Sequence, residues 1–185
     1  DKCSLEELSD LKQKMKYYQD FGYPVFFVNS KTGVGVDLVK EQLKKHNLLE
    51  RYLELPSSTA TVSLAAQTIG CEEDLIAKTL SFKTKQGAVV IVASGQSRVD
   101  NKKFKDFFKE KAVFLKGGEV PELTGHPIGG VSPFGLKEGV KVYLDNSLKK
   151  YDYVYPAAGA PNNAVKLSPA ELEAASGGTW TDICK

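Results

Sequence analysis

One lysine stands in an otherwise apolar run, Leu75-Ile76-Ala77-Lys78-Thr79-Leu80. Burying an ammonium is costly unless it has a partner or a task. A strand-end lysine that lays its stem on apolar surface and reaches water fits the same pattern. Held beside an ester carbonyl, the ammonium would stabilise the oxyanion that forms on attack. Further along, Gly129-Gly130-Val131-Ser132-Pro133-Phe134-Gly135 holds three glycines and a proline around one hydroxyl, with no charge. Glycine permits close backbone approach and proline fixes φ, so the stretch reads as a loop able to aim backbone N–H groups into a small cavity. An ordinary tight turn between strands is the plain alternative. Ser132 has the hydroxyl of a nucleophile, but no base is placed near it in sequence and the G-x-S-x-G elbow is absent. His46 and His126 stand alone, without a partner at metal or triad spacing, and receive no role.

Four stretches follow one another in order: Ile76-Ala77-Lys78-Thr79-Leu80, Val99-Asp100-Asn101-Lys102-Lys103, the Gly129–Gly135 loop, and Tyr155-Pro156-Ala157-Ala158-Gly159. Together they resemble the YbaK/ProX/EbsC family of aminoacyl-tRNA deacylases, free-standing editing domains, from about Asp37 to Lys185. The resemblance implies a catalytic group of Lys78, Gly129, Gly130 and Ser132, with Tyr52, Thr79, Asp100, Val131, Pro133 and Gly159 around the substrate. It implies no metal, no organic cofactor and no covalent enzyme nucleophile: water, a ribose hydroxyl or the substrate's own side chain attacks. The partners implied are a mischarged tRNA, foremost tRNA(Pro) carrying cysteine or another small amino acid, and prolyl-tRNA synthetase. A binding module of the same fold without turnover is the alternative. Read without the resemblance, Tyr52, Thr79 and Asp100 are a core tyrosine, a strand threonine and a helix cap. The cysteine-specific branch carries serine and aspartate where this chain has Ala157 and Ala164, and a basic stretch where it has Ala160-Pro161-Asn162-Asn163. Cysteine as the amino acid removed is thereby left open.

Arg98, Lys102, Lys103, Lys105, Lys109 and Lys111 form the densest basic run. Helical spacing sets Lys102, Lys105 and Lys109 opposite Phe104, Phe107 and Phe108, which suits either a solvated face or contact with tRNA phosphates. The net charge of +2 over 185 residues argues against a broad nucleic-acid grip and allows such a local patch. No apolar run approaches the roughly 20 residues that span a bilayer, so no membrane partner is expected. Cys3, Cys71 and Cys184 are odd in number and far apart, as expected of reduced thiols in a cytoplasmic protein.

The elements that must position these groups follow from periodicity. Leu5, Leu8, Leu11 and Met15 mark a helix, Pro24–Val28 a buried strand, and Ser30–Gly35 a loop before a helix capped by Asp37. This order resembles a fragment of a circularly permuted, ribosome-associated GTPase. With no GxxxxGK[ST] in the chain, residues 1–36 read as a non-catalytic extension that binds no nucleotide. Beyond it, Arg51–Leu55, Leu80–Thr84, Ala88–Ala93, Val140–Leu144, Asp152–Tyr155 and Thr179–Ile183 read as strands. Helices are expected over Thr61–Ile69, Asn101–Lys111 and from Ser168. Hairpins mixed with unevenly spaced helices indicate α+β. The resemblance implies a curved, barrel-like mixed sheet with helices outside.

Overall fold

The computed structural model describes residues 34–185. The expected N-terminal helix, the Pro24–Val28 strand and the GTPase-like reading of residues 1–33 lie outside the described residues. Helix α1 (Val34–Lys45) begins ahead of Asp37, which sits in its first turn. Val36, Val39 and Leu43 are all buried, so the apolar stripe reaches back past Asp37. The expected division between residues 36 and 37 therefore falls inside α1.

The elements that follow are β1 (Tyr52–Glu54), α2 (Val62–Ile69), β2 (Ile76–Thr84), β3 (Gly87–Ser94), α3 (Asn101–Phe108) and α4 (Glu119–Thr124). The chain then adds β4 (Lys141–Asp145), β5 (Tyr155–Pro156), β6 (Asn163–Val165), α5 (Pro169–Ser176) and β7 (Thr179–Thr181). Five strands form a curled mixed sheet in the order β5-β2-β3-β4-β7, and β1 pairs with β6. The fold is α+β. Strands β2 and β3 form the expected hairpin, closing at the Thr84–Gly87 pair. The positive φ of Gly87 (113°) and the Thr84 hydroxyl, which donates to the Gly87 carbonyl at 2.8 Å, make that turn. The other contacts, β5 to β2, β3 to β4 and β4 to β7, are parallel.

Strand β3 is buried continuously from Val89 to Ser94, because both faces of the sheet are covered. On one side Val39 and Leu43 of α1 and Leu172 and Ala175 of α5 join Val92 and Leu144. On the other, Phe104 of α3 packs with Phe82, Ile91 and Ile183. Caps set the helix ends. The Thr61 hydroxyl accepts from the Leu64 N–H, and Ser168 and Glu171 form a capping box. Asp145 ties the C-terminal segment to β4: its carboxylate, 1% exposed, accepts from the Ile183, Cys184 and Ser147 N–H groups at 2.8–2.9 Å. Burial alone would raise its pKa, but these donors outweigh it and hold the carboxyl below its ordinary range.

Three expectations shift. Strand β2 begins at Ile76, not Leu80, so Lys78 lies within the strand and not at its end. Helix α3 stops at Phe108 because Lys109 turns left-handed (φ 59°) and its N–H closes on the Lys105 carbonyl. The strand expected over Asp152–Tyr155 contracts to Tyr155–Pro156, since a 3-10 turn over Asn146–Lys150 immediately precedes it and Val154 makes only a single bridge, to Leu167.

Candidate active site

Alternation along β2 puts Lys78 on the same face as Ile76 and Leu80, opposite Ala93 of β3. Its half-buried ammonium donates to the Gly95 carbonyl at 2.8 Å and to the Ser97 carbonyl. A lysine carries three N–H donors, so one stays available. Both acceptors are neutral, and among the described residues no carboxylate pairs with Lys78. Burial, with Arg98 nearby adding to it, pulls the Lys78 pKa below that of an ordinary lysine. Gly95 approaches the Glu73 backbone so closely that a Cβ there would stand 1.9 Å from the Glu73 carbonyl oxygen. Only glycine brings a carbonyl to that place, and nothing in local sequence marked Gly95 or Ser97 as partners of Lys78.

The glycine loop is fixed by close packing. A Cβ on Gly129 (φ 78°) would lie 2.7 Å from Ala60, and one on Gly130 2.7 Å from the Ala160 backbone. One on Gly135 would lie 2.9 Å from Val39 N in α1. Most of the loop's donors are already taken. The Gly130 N–H donates to the Pro127 carbonyl, Ser132 to His126 Nδ1, Phe134 to Ser132 Oγ and Gly135 to Gln42 Oε1. The Gly129 and Val131 N–H groups make no hydrogen bond among the described residues. Among the described residues, the donors left free in the loop are therefore these two.

Lys78, Thr79, Gly129 and Val131 come together on the walls of one cavity of about 280 Å³. Thr59, Ala60, Tyr155, Ala157, Asn163 and Ala164 also line it, and among the described residues no Asp, Glu, His or Cys does. Two threonine hydroxyls on this wall, Thr59 Oγ1 and Thr79 Oγ1, are buried without a hydrogen-bond partner. Such orphans are rare in native interiors. Ala157 and Ala164, which bridge to each other, make part of the wall apolar.

Other expected site residues stand behind this wall. Tyr52 does not line the cavity; its hydroxyl accepts from Asn163 Nδ2 at 2.9 Å, and Asn163 Oδ1 accepts from the Ala158 and Ala160 N–H groups. Tyr52 thus braces a lining residue. Gly159 (φ 96°) packs on the start of α1, within 3.2 Å of Val36 N for a Cβ placed there. Gly130, Ser132 and Pro133 are buried outside the lining. Asp100 caps α3, accepting from the Lys102 and Lys103 N–H groups at 2.8 and 3.1 Å. Lys102, Lys105 and Lys109 are exposed.

The histidine left without a role holds the loop. His126 is fully buried, and acceptance at Nδ1 from the Ser132 N–H requires the tautomer with its proton on Nε2. Burial lowers its pKa to about 4, which keeps the ring neutral. The only sequence signal was its place six residues before Ser132. Among the described residues no cluster of His, Cys, Asp or Glu could hold a metal ion, and no helix is long and apolar enough to cross a membrane.

A model of the aminoacyl-tRNA editing domain matches residues 56–175. The uncharacterized protein YwhH of Bacillus subtilis is 48% identical over 134 residues, 71% of this chain and 85% of that protein. EbsC of Enterococcus faecalis, named as a candidate Cys-tRNA(Pro)/Cys-tRNA(Cys) deacylase, is 30% identical over 120 residues, 64% of this chain and 73% of its own. A crystal structure described as a candidate trans-editing enzyme for prolyl tRNA synthetase matches with a TM-score of 0.74 at 32% identity, over 86% of this chain and 99% of that one.

Proposed function

The chain belongs to the aminoacyl-tRNA editing domain family, and from that premise we propose that it hydrolyses the ester of a mischarged tRNA, foremost tRNA(Pro) carrying a small amino acid. One observation carries this reading: Lys78, Gly129 and Val131, the last two with backbone N–H groups unused among the described residues, line a single small cavity whose described lining holds no carboxylate, imidazole or thiol. Such a site suits stabilisation of negative charge and offers no carboxylate or imidazole base to activate a nucleophile of its own. The acyl carbonyl takes the place beside Lys78 and the Gly129 and Val131 N–H groups. A water oxygen attacks the carbonyl carbon and gives up a proton to solvent, and the carbonyl oxygen becomes the oxyanion that these donors hold. Collapse breaks the C–O ester bond. The ribose oxygen leaves and is protonated from solvent, giving free amino acid and tRNA.

Ala157 and Ala164 present methyl groups to the side chain of the amino acid, which favours alanine or cysteine over serine. Cys-, Ala- and Ser-tRNA(Pro) incubated with wild type and with Lys78→Ala test the proposal. Wild type is expected to deacylate at least one of them far faster than buffer, and Lys78→Ala to fall close to the buffer rate. Esters that stay as stable with wild type as in buffer would leave a binding module without turnover.

A further inference from the structure

An ester has two halves, and the 280 Å³ cavity has room for the acyl half. Against it lies a second hollow of about 410 Å³, bordered by Lys78, Leu80, Ser97, Arg98, Asn101 and Phe114 among others. Lys78 and Leu80 line both spaces. The alcohol half of any ester held at Lys78 therefore has this hollow as its neighbouring room.

Its walls have a particular chemistry. Phe114 is 55% exposed, yet its ring centroid stands 4.4 Å from that of the fully buried Phe82, tilted by 34°. A backbone bridge between the same two residues holds the pair, and Phe82 packs in turn on Phe104. The Phe114 ring rests against the core while more than half of the residue's surface stays exposed. A rigid exposed ring of this kind is a stacking platform for a nucleobase. Arg98 beside it is exposed, and among the described residues no carboxylate pairs with it. The neighbouring acid, Asp100, is occupied by two helix N–H groups and by Lys185 Nζ at 3.6 Å. Arg98 and Lys78 thus place two cations at one rim, a setting for an anion.

We propose that this hollow seats the 3′-terminal nucleotide of the aminoacyl-tRNA, with the base on the exposed surface of Phe114 and a backbone phosphate at Arg98, so that the ester passes Lys78 into the acyl cavity. The proposal rests on the ester-hydrolase reading above. An apolar ligand would have no use for Arg98, and a free anion no use for the ring; a nucleotide uses both.

Binding of AMP, adenosine and ribose 5-phosphate to wild type, Phe114→Leu, Phe114→Tyr and Arg98→Ala, followed by ligand-observed NMR, tests it without requiring turnover. AMP is expected to bind wild type and Phe114→Tyr alike, and Phe114→Leu about tenfold more weakly, as loss of one stacked base predicts. Arg98→Ala should weaken AMP and leave adenosine unchanged. In deacylation, Phe114→Leu should raise KM with kcat held within about twofold, the sign of lost ground-state binding. Equal AMP affinity in wild type and Phe114→Leu, or no AMP binding by wild type at millimolar concentration, overturns the proposal while leaving ester hydrolysis untouched. AMP bound to wild type and lost in Phe114→Leu, beside an ester that stays intact, upholds the nucleotide seat and rejects the hydrolase reading.

Discussion

The two spaces that meet at Lys78 are built from opposite materials. The smaller is walled by small apolar side chains, two unpartnered hydroxyls and loop backbone, with Lys78 as its one charge. The larger carries an exposed ring and a guanidinium that no carboxylate pairs with among the described residues. In the smaller space, beside the half-buried Lys78, a charge is screened less and each donor counts more. In the larger one, around the exposed Arg98 and Phe114, charge is screened by salt and hold comes from stacking. The difference separates two tasks: rate should depend on the first space and grip on the second.

The severest way to break this contrast is Lys78→Ala. It should lower kcat by about 10²–10³-fold, the loss seen when one oxyanion donor is removed, with little change in KM; an effect on KM alone would move Lys78 to the binding side. Because burial lowers the Lys78 pKa, the ammonium is lost on the alkaline side earlier than in an ordinary lysine. A background-corrected pH–rate profile should accordingly fall at a pH below the usual lysine range.

Gly130→Ala comes next. Its Cβ would meet the Ala160 backbone at 2.7 Å, and the loop must move, carrying the Gly129 and Val131 N–H groups with it. We expect kcat to drop by about tenfold or more, as small misplacements of positioned groups do.

His126 sharpens the comparison through stability. Its folded pKa of about 4 lies below the unfolded value of 6.5, so between these values the unfolded chain binds more protons. Stability is then lost as pH falls from 6.5 toward 4, by on the order of 3 kcal/mol in full. His126→Asn, which keeps an acceptor for the Ser132 N–H, should show a shallower fall in denaturation midpoint over that window. An identical slope would mean that His126 is not the group responsible.

Ser132→Ala should have the smallest effect. The hydroxyl is buried outside the lining and accepts from the Phe134 N–H, so a loss of about 1 kcal/mol in stability is expected, with kcat nearly unchanged. A fall in kcat matching that of Lys78→Ala would restore Ser132 to the reaction.

Much of this was legible in the residues themselves. The α+β class, the β2–β3 hairpin and the starts of α3 and α5 at Asp100 and Ser168 follow from signals within a few positions of one another. Lys78, Thr79, Gly129 and Val131 also emerge as neighbours of one cavity. Ala157 and Ala164, conspicuous as departures from the cysteine-specific pattern, are both in its lining. Less was visible of the supports. Tyr52 braces Asn163 across the β1–β6 pair, and Gln42 of α1 accepts the Gly135 N–H, contacts that join distant parts of the chain. The role of His126 was hidden for another reason: its partner is a backbone N–H, which no side-chain pattern announces.

By itself the sequence determined the kinds of chemistry available, an uncompensated lysine and a glycine-rich backbone without acid, base or metal ligands at working spacing. It also determined the local elements, because helix caps, strand alternation and turns depend on neighbours only a few residues away. Tertiary structure decided which groups are free to act. It spent the Gly130 and Ser132 N–H groups on Pro127 and His126 and, among the described residues, left those of Gly129 and Val131 unused. It also held Lys78 on two carbonyls and set Phe114 against the core with more than half of its surface exposed. Whether a donor is spent or a ring is covered depends on what long-range packing brings against it, and the spacing of residues along the chain does not record that.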